Sequence, residues 1–127
     1  RYIAILTKNE FRDRIDEVRV EGHTSSDWRF SVSDELRYLN NAQLSQARAL
    51  SVVQYVYQLN DVSTARDWLR TTLRSNGLSF AKPVYDLEGR EDADRSRRVE
   101  FRVLTKAKEE LMRIIGKYKS HQAATGE

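Results

Sequence analysis

Apolar and polar residues alternate in two stretches of this chain and recur at helical spacing in three others. Val18-Arg19-Val20-Glu21 opens a valine-rich alternating segment, which predicts a strand over 17–24. Arg98-Val99-Glu100-Phe101-Arg102-Val103 alternates as well and predicts a second strand. Ile3, Leu6, Phe11 and Ile15, set among Lys8, Glu10, Arg12, Asp13 and Arg14, fit an amphipathic helix over 2–15. Leu44, Ala47, Leu50, Ser51, Val53, Val56, Tyr57 and Leu59 give a broad stripe, as expected of a central core helix. That helix is predicted to start at a cap on Asn40 or Asn41 and to stop near Asn60-Asp61. Ala107, Leu111, Ile114, Ile115 and Tyr118 predict a last amphipathic helix, packed on its own domain, before a frayed tail over 123–127.

The intervening pieces carry weaker signals. From Ser25 to Tyr38 the pattern is irregular, and Ser33-Asp34-Glu35 suits the start of a short helical piece. A further helix from Ser63 or Thr64 includes Leu69 and a core Trp68, and Thr71-Thr72-Leu73 is either its last turn or a strand. Asn76-Gly77 reads as a turn or bulge, and Pro83 marks an edge or irregular strand over 80–85. Residues 86–95 form a charged loop. Helices and strands in this order predict an α/β (α+β) domain of two layers, its mixed sheet covered by helices on one face.

Composition narrows the class. A length of 127 residues suits one domain with a real core. Charged residues make up 32% but sum to only +3, with both signs interleaved. That is a solvated mixed surface rather than a nucleic-acid footprint. Without cysteine there is no disulfide, thiolate metal site or cysteine nucleophile. No apolar run approaches the roughly 20 residues of a membrane span. The chain opens on Arg1-Tyr2-Ile3, without an initiator methionine or signal peptide, as expected of a piece of a longer protein.

Candidate chemistry gathers at the end of the first strand. There Gly22-His23-Thr24-Ser25-Ser26-Asp27-Trp28 breaks the alternation ahead of the helix that carries Arg48. A strand end followed by an inward-looking arginine is a way to build an anion pocket, because the guanidinium offers a planar, permanently charged fork. Taken alone, Arg48 is as readily an exposed helix arginine. His23, Ser25 and Asp27 lie too close in sequence to form a catalytic triad on a strand end. His23 is instead expected to bond the turn backbone, and it has no second histidine at metal-ligand spacing. No catalytic residue, metal or cofactor is therefore expected. Trp28 is either a lid on the pocket or part of a satellite core.

Three separated segments together resemble the OmpA-like domain, a peptidoglycan-binding module of outer-membrane proteins, lipoproteins and flagellar-motor stator subunits. They are Val18-Arg19-Val20-Glu21-Gly22-His23-Thr24, Asn41-x-x-Leu44-Ser45-x-x-Arg48-Ala49, and Ser96-Arg97-Arg98-Val99-Glu100. Gly77 and Pro83 fall where the family has a glycine strand followed by a proline. The resemblance implies an OmpA-like sandwich over 1–105, with the family's first strand missing upstream, and an additional C-terminal helix and tail over 106–127. It also implies a non-catalytic domain that anchors a larger envelope protein to the wall by gripping diaminopimelate of the peptidoglycan stem peptide. Such domains use an aspartate after the Gly-His-Thr turn and an arginine of the long helix. Arg48 matches that arginine, Asn41 the helix-start asparagine, and Arg97 the arginine after a usual asparagine that is Ser96 here. The aspartate position is Ser25, with Asp27 two residues on, so the implied ligand-binding set is Thr24, Ser25, Asp27, Asn41, Arg48 and Arg97.

The extended Trp28 loop and the added last helix are similar to a divergent, stator-like, MotB-like subgroup related to the Zorya anti-phage defence systems. For such a protein the resemblance implies a periplasmic, homodimeric domain, tethered to a membrane only through an upstream segment. The rival reading keeps the fold but not the ligand, and makes the domain a dimerisation or protein-interaction module. Ser25 in place of aspartate motivates it.

Overall fold

The computed structural model describes residues 2–125, the side chain of Lys108 excepted, and centres on strand β1 (Ile15–His23). β1 pairs in parallel with β2 (Leu73–Gly77) and antiparallel with β3 (Arg98–Thr105), in the order β2-β1-β3. The mixed sheet expected from sequence is present, with helices packed against it. Val18 and Val20 are fully buried on β1, and so is Gly22, whereas Arg19 and Glu17 keep partial exposure. This alternation is the period-2 pattern that marked the segment as a strand.

Helix α3 (Asp34–Gln58) lies across β1 and β2. It begins seven residues before Asn41, where the sequence predicts the cap. The Ser33 hydroxyl accepts the Leu36 N–H at 3.3 Å, and Asp34 and Glu35 complement the dipole of the first turn. Its buried stripe is Asn41, Ser45, Ala49 and Val56, and Leu44 and Leu50 of the predicted stripe stay partly exposed. The reason is close approach. A Cβ on Gly22 would overlap the Ser45 carbonyl oxygen, and one on Gly77 would lie 2.5 Å from the Gln46 nitrogen. Strands without side chains at these points let α3 press backbone to backbone, and only small helix residues fit between.

Other departures are local. The predicted helix over 2–15 is two short ones, α1 (Tyr2–Leu6) and α2 (Asn9–Arg12), split by an extended Lys8. Ile15 belongs to β1. After α3, a 3₁₀ turn (Asn60–Ala65) leads into α4 (Arg66–Thr72), whose Leu69 joins Ile3, Ile15, Val18, Val56 and Val62 in the core. Trp68 packs against that cluster while partly exposed. Asn76 and Gly77 are strand, not turn, because β2 is held by pairing with β1. Residues 80–85 form no strand beyond one bridge between Tyr85 and Glu91.

A short helix α5 (Ala93–Ser96), capped by Asp92 through the Arg95 N–H at 3.0 Å, precedes β3. The last helix α6 (Lys106–Thr125) follows β3 with no loop between, so nothing turns it back onto the sheet. Leu111, Met112, Ile114, Ile115 and Tyr118 remain 38–62% exposed, contrary to the packing expected of them. Ala123–Thr125 belong to α6, and the rest of the expected tail lies outside the described residues. No helix of the described residues is long and apolar enough to cross a membrane.

Candidate ligand-binding site

Beyond His23 the β1 chain keeps its pairing for one more step. The Leu78 N–H donates to the Gly22 carbonyl and the Thr24 N–H to the Ser79 carbonyl, both at 2.9 Å. Ser79 has φ 53°, in the left-handed region that costs an ordinary residue roughly 1–2 kcal/mol. Two contacts with α3 hold it there: its N–H donates to the Ser45 hydroxyl at 3.0 Å, and its own hydroxyl donates to the Tyr38 carbonyl at 3.1 Å. The strand end and the helix are thereby locked together beside the loop over 24–33.

That loop is tied down at two points. The Asn41 amide donates to the Asp27 carbonyl at 3.3 Å and to the Arg37 carbonyl at 3.1 Å, so Asn41 pins the loop from inside α3 rather than capping the helix. Glu91 accepts the Ser26 N–H at 2.8 Å with one carboxylate oxygen, and the Ser26 hydroxyl with the other. Nothing local in the charged segment around Glu91 signals this, since its partner is 65 residues away in sequence.

Between the loop, α3 and Arg97 lies a cavity of about 560 Å³, within the range of small-molecule sites. All six residues of the implied set, Thr24, Ser25, Asp27, Asn41, Arg48 and Arg97, line it. Trp28, Arg29, Phe30 and Leu44 complete the wall. Leu44 and Arg48, four residues apart, share one face of α3, which explains why Leu44 is not in the core. Half-buried Arg48 makes no ion pair or side-chain hydrogen bond among the described residues. Thr24 is 2% exposed, and its hydroxyl has no hydrogen-bond partner among the described residues, although it borders this space.

Arg97 is occupied. Its Nε donates to the Ser25 hydroxyl at 3.2 Å, and its Nη atoms lie 3.7 Å from the Asp27 carboxylate and 3.3 Å from Asp94. So the extended loop does fold Asp27 back to the neighbourhood of Ser25, with Arg97 between them. Trp28 is partly buried in the cavity wall. Ser96, where the resemblance leads one to expect an asparagine, is fully buried and accepts the Val84 N–H at 2.9 Å.

The opposite face of the sheet carries a separate charged ladder. His23 is fully buried there, outside the cavity, and neither ring nitrogen has a hydrogen-bond partner among the described residues, so it does not bond the turn backbone. Its Nε2 lies 3.7 Å from Glu100, and one ligand atom each from Glu21, His23 and Glu100 falls within 4.8 Å of the others. Burial first, and then the charge of Arg98, push the imidazole below its usual pKa, which favours its neutral form. Arg98 donates to Glu100 at 2.6 Å and holds that carboxyl below its ordinary range. Arg102 lies 3.2 Å from Glu21, and Arg19 lies 3.8 Å from it. Arg19 is shared with Glu17 at 3.0 Å, and Glu21 and Glu100 each already have a guanidinium against them, which leaves these carboxylates less available to a cation.

Sequence comparison adds one finding. The chain is similar to the Zorya protein ZorB of Escherichia coli. The two are 41% identical over 115 residues, covering 91% of this chain and 48% of ZorB. The chain thus spans about half the length of that curated relative. No family model matches the chain, and no solved structure matches it.

Proposed function

We propose that this domain binds peptidoglycan through the diaminopimelate of its stem peptide, without catalysis, and tethers a longer protein to the cell wall. The observation that carries this reading is the convergence of Thr24, Ser25, Asp27, Asn41, Arg48 and Arg97 on one cavity. Diaminopimelate ends in an ammonium and a carboxylate on one carbon. Arg48 suits the carboxylate, and Asp27 with the unpartnered Thr24 hydroxyl suits the ammonium. The likeness to a Zorya protein supports placing the domain in a stator-like envelope component of an anti-phage system. In that setting it sits in the periplasm, held to a membrane by chain upstream of it.

The test is calorimetric titration with two muropeptides that differ only at the third residue, diaminopimelate or lysine. Lysine keeps the distal ammonium and lacks the distal carboxylate. A charge-assisted hydrogen bond contributes roughly 1.5–3 kcal/mol, so the diaminopimelate form should bind about tenfold or more tighter. Equal affinities, or no binding of either, would overturn the proposal.

A second reading is favoured by one observation, the uncovered face of α6. Ala107, Leu111, Ile114 and Tyr118 are spaced four, three and four residues apart, which is the seam of a coiled coil. We infer that this face joins two copies of the domain, alongside wall binding or in place of it. Light scattering should give a dimer mass for the natural chain and a monomer mass for Leu111→Glu/Ile114→Glu. Both side chains are more than half exposed, so the folded domain should tolerate the change. Equal masses for the two proteins would rule out α6 as a dimer interface.

A further inference from the structure

A second cavity of about 350 Å³ adjoins the first, and the two share Asp27, Trp28, Arg29 and Phe30 as a common wall. Together they exceed what one amino-acid side chain fills, so the groove has room for a ligand that continues past the Arg48 end. The second cavity is cationic and polar, with Ser26, Ser31, Arg29 and Arg37 around it. Arg29 has no ion pair among the described residues. Arg37 is held in place: its guanidinium lies 5.9 Å over the Phe80 ring, which packs edge-on against Tyr38 at 6.0 Å. Its only carboxylate partner among the described residues is Asp34 at 2.9 Å, whose side chain is 89% exposed, and such surface pairs exchange readily with other acceptors. The Arg37 Nε is buried with no hydrogen-bond partner among the described residues. Two guanidinium groups that line one cavity, one of them without an ion pair among the described residues, suit a planar two-oxygen anion.

The ligand proposed above has such a group at the right place in its chain. In a γ-linked stem peptide the glutamate before diaminopimelate keeps a free α-carboxylate. Resting on that reading, we propose that the second cavity is a carboxylate subsite for this glutamate. Arg37, with Arg29, then distinguishes the acid from its amide, and Trp28 forms the apolar wall along which the aliphatic arm between the two groups lies. The charge order along the groove becomes Arg48, Asp27, Arg37, which complements a carboxylate, an ammonium and a second carboxylate.

Titration of the full chain with two diaminopimelate muropeptides, one carrying the glutamate α-carboxylate and one its α-amide, tests the subsite. The natural chain should bind the acid roughly tenfold tighter than the amide, the size expected for one charge-assisted contact. Arg37→Gln should bind acid and amide alike, at about the affinity of the natural chain for the amide. It should keep the preference for diaminopimelate over lysine, which shows that the Arg48 end and the fold are intact. Arg29→Gln should reduce the same discrimination. Equal binding of acid and amide by the natural chain, with the diaminopimelate preference present, would overturn the subsite alone. Undiminished discrimination by Arg37→Gln would overturn the role given to Arg37. Loss of the diaminopimelate preference in the natural chain would overturn the wall-binding reading and the subsite with it.

Discussion

Gly22→Ala is expected to destabilise the domain by about 3 kcal/mol or more, at the top of the range for overpacked cores. The added Cβ would meet backbone, not a side chain that can swing away. It would overlap the Ser45 carbonyl oxygen and stand 2.9 Å from the carbonyl carbon and 3.3 Å from Cα. α3 cannot retreat cheaply, because Ser45, Ala49 and Val56 are all buried against the sheet and the Ser45 hydroxyl holds Ser79. A domain is stable by only about 5–15 kcal/mol, so this is a large fraction of the total. In thermal denaturation it should appear as a midpoint lowered by roughly 10 °C or more. Gly116→Ala is the control. Its Cβ would meet nothing within 4 Å on exposed α6, and the midpoint should hold or rise slightly. If Gly22→Ala melted together with the natural chain, the close approach of β1 and α3 would be wrong.

The same close approach explains what was hard to read in the sequence. β1 and β3 are legible because Val18, Val20, Val99 and Val103 alternate with charges, a local signal that survives in isolation. α3 is legible as a helix but not in its rotation. Hydrophobicity favours Leu44 and Leu50 as its inner face, whereas the bare backbone at Gly22 and Gly77 selects Asn41, Ser45 and Ala49. Leu44 then belongs to the cavity wall, a role no periodicity reveals. β2 contains a single apolar residue, Leu73, and exists because β1 offers it a parallel ladder, which is information from elsewhere in the chain.

The site shows the same division. Four of its six polar residues lie in the three segments that carry the resemblance, Ser25 and Asp27 lie in the loop just after the first, and the fold brings all six to one cavity. Glu91, which fixes the loop by its contacts to Ser26, had no pattern to announce it. The exposure of α6 was likewise hidden, because a stripe at helical spacing is the same whether a helix packs on its own domain or on another chain.

Arg48→Ala is expected to weaken binding of the diaminopimelate muropeptide by tenfold to more than a hundredfold while leaving the melting midpoint unchanged. The first half follows from the chemistry of the ligand. A bidentate guanidinium–carboxylate contact is among the stronger hydrogen-bonded pairs, and one charged hydrogen bond already contributes roughly 1.5–3 kcal/mol. The second half follows from the surroundings of Arg48: half-buried and without an ion pair among the described residues, it supports nothing that its loss would release. Arg48→Lys should fall between, since an ammonium keeps the charge but not the fork. Asp27→Asn should cost less than Arg48→Ala. The Asp27 carboxylate is 69% exposed and already shared with Arg97 at 3.7 Å, so water and that arginine screen what it offers an ammonium. Calorimetry on the three variants tests this order directly. An Arg48→Ala protein that binds within about threefold of the natural chain, less than the effect of one charged hydrogen bond, would remove Arg48 from the mechanism. A larger loss from Asp27→Asn would move the centre of recognition from the carboxylate of the ligand to its ammonium.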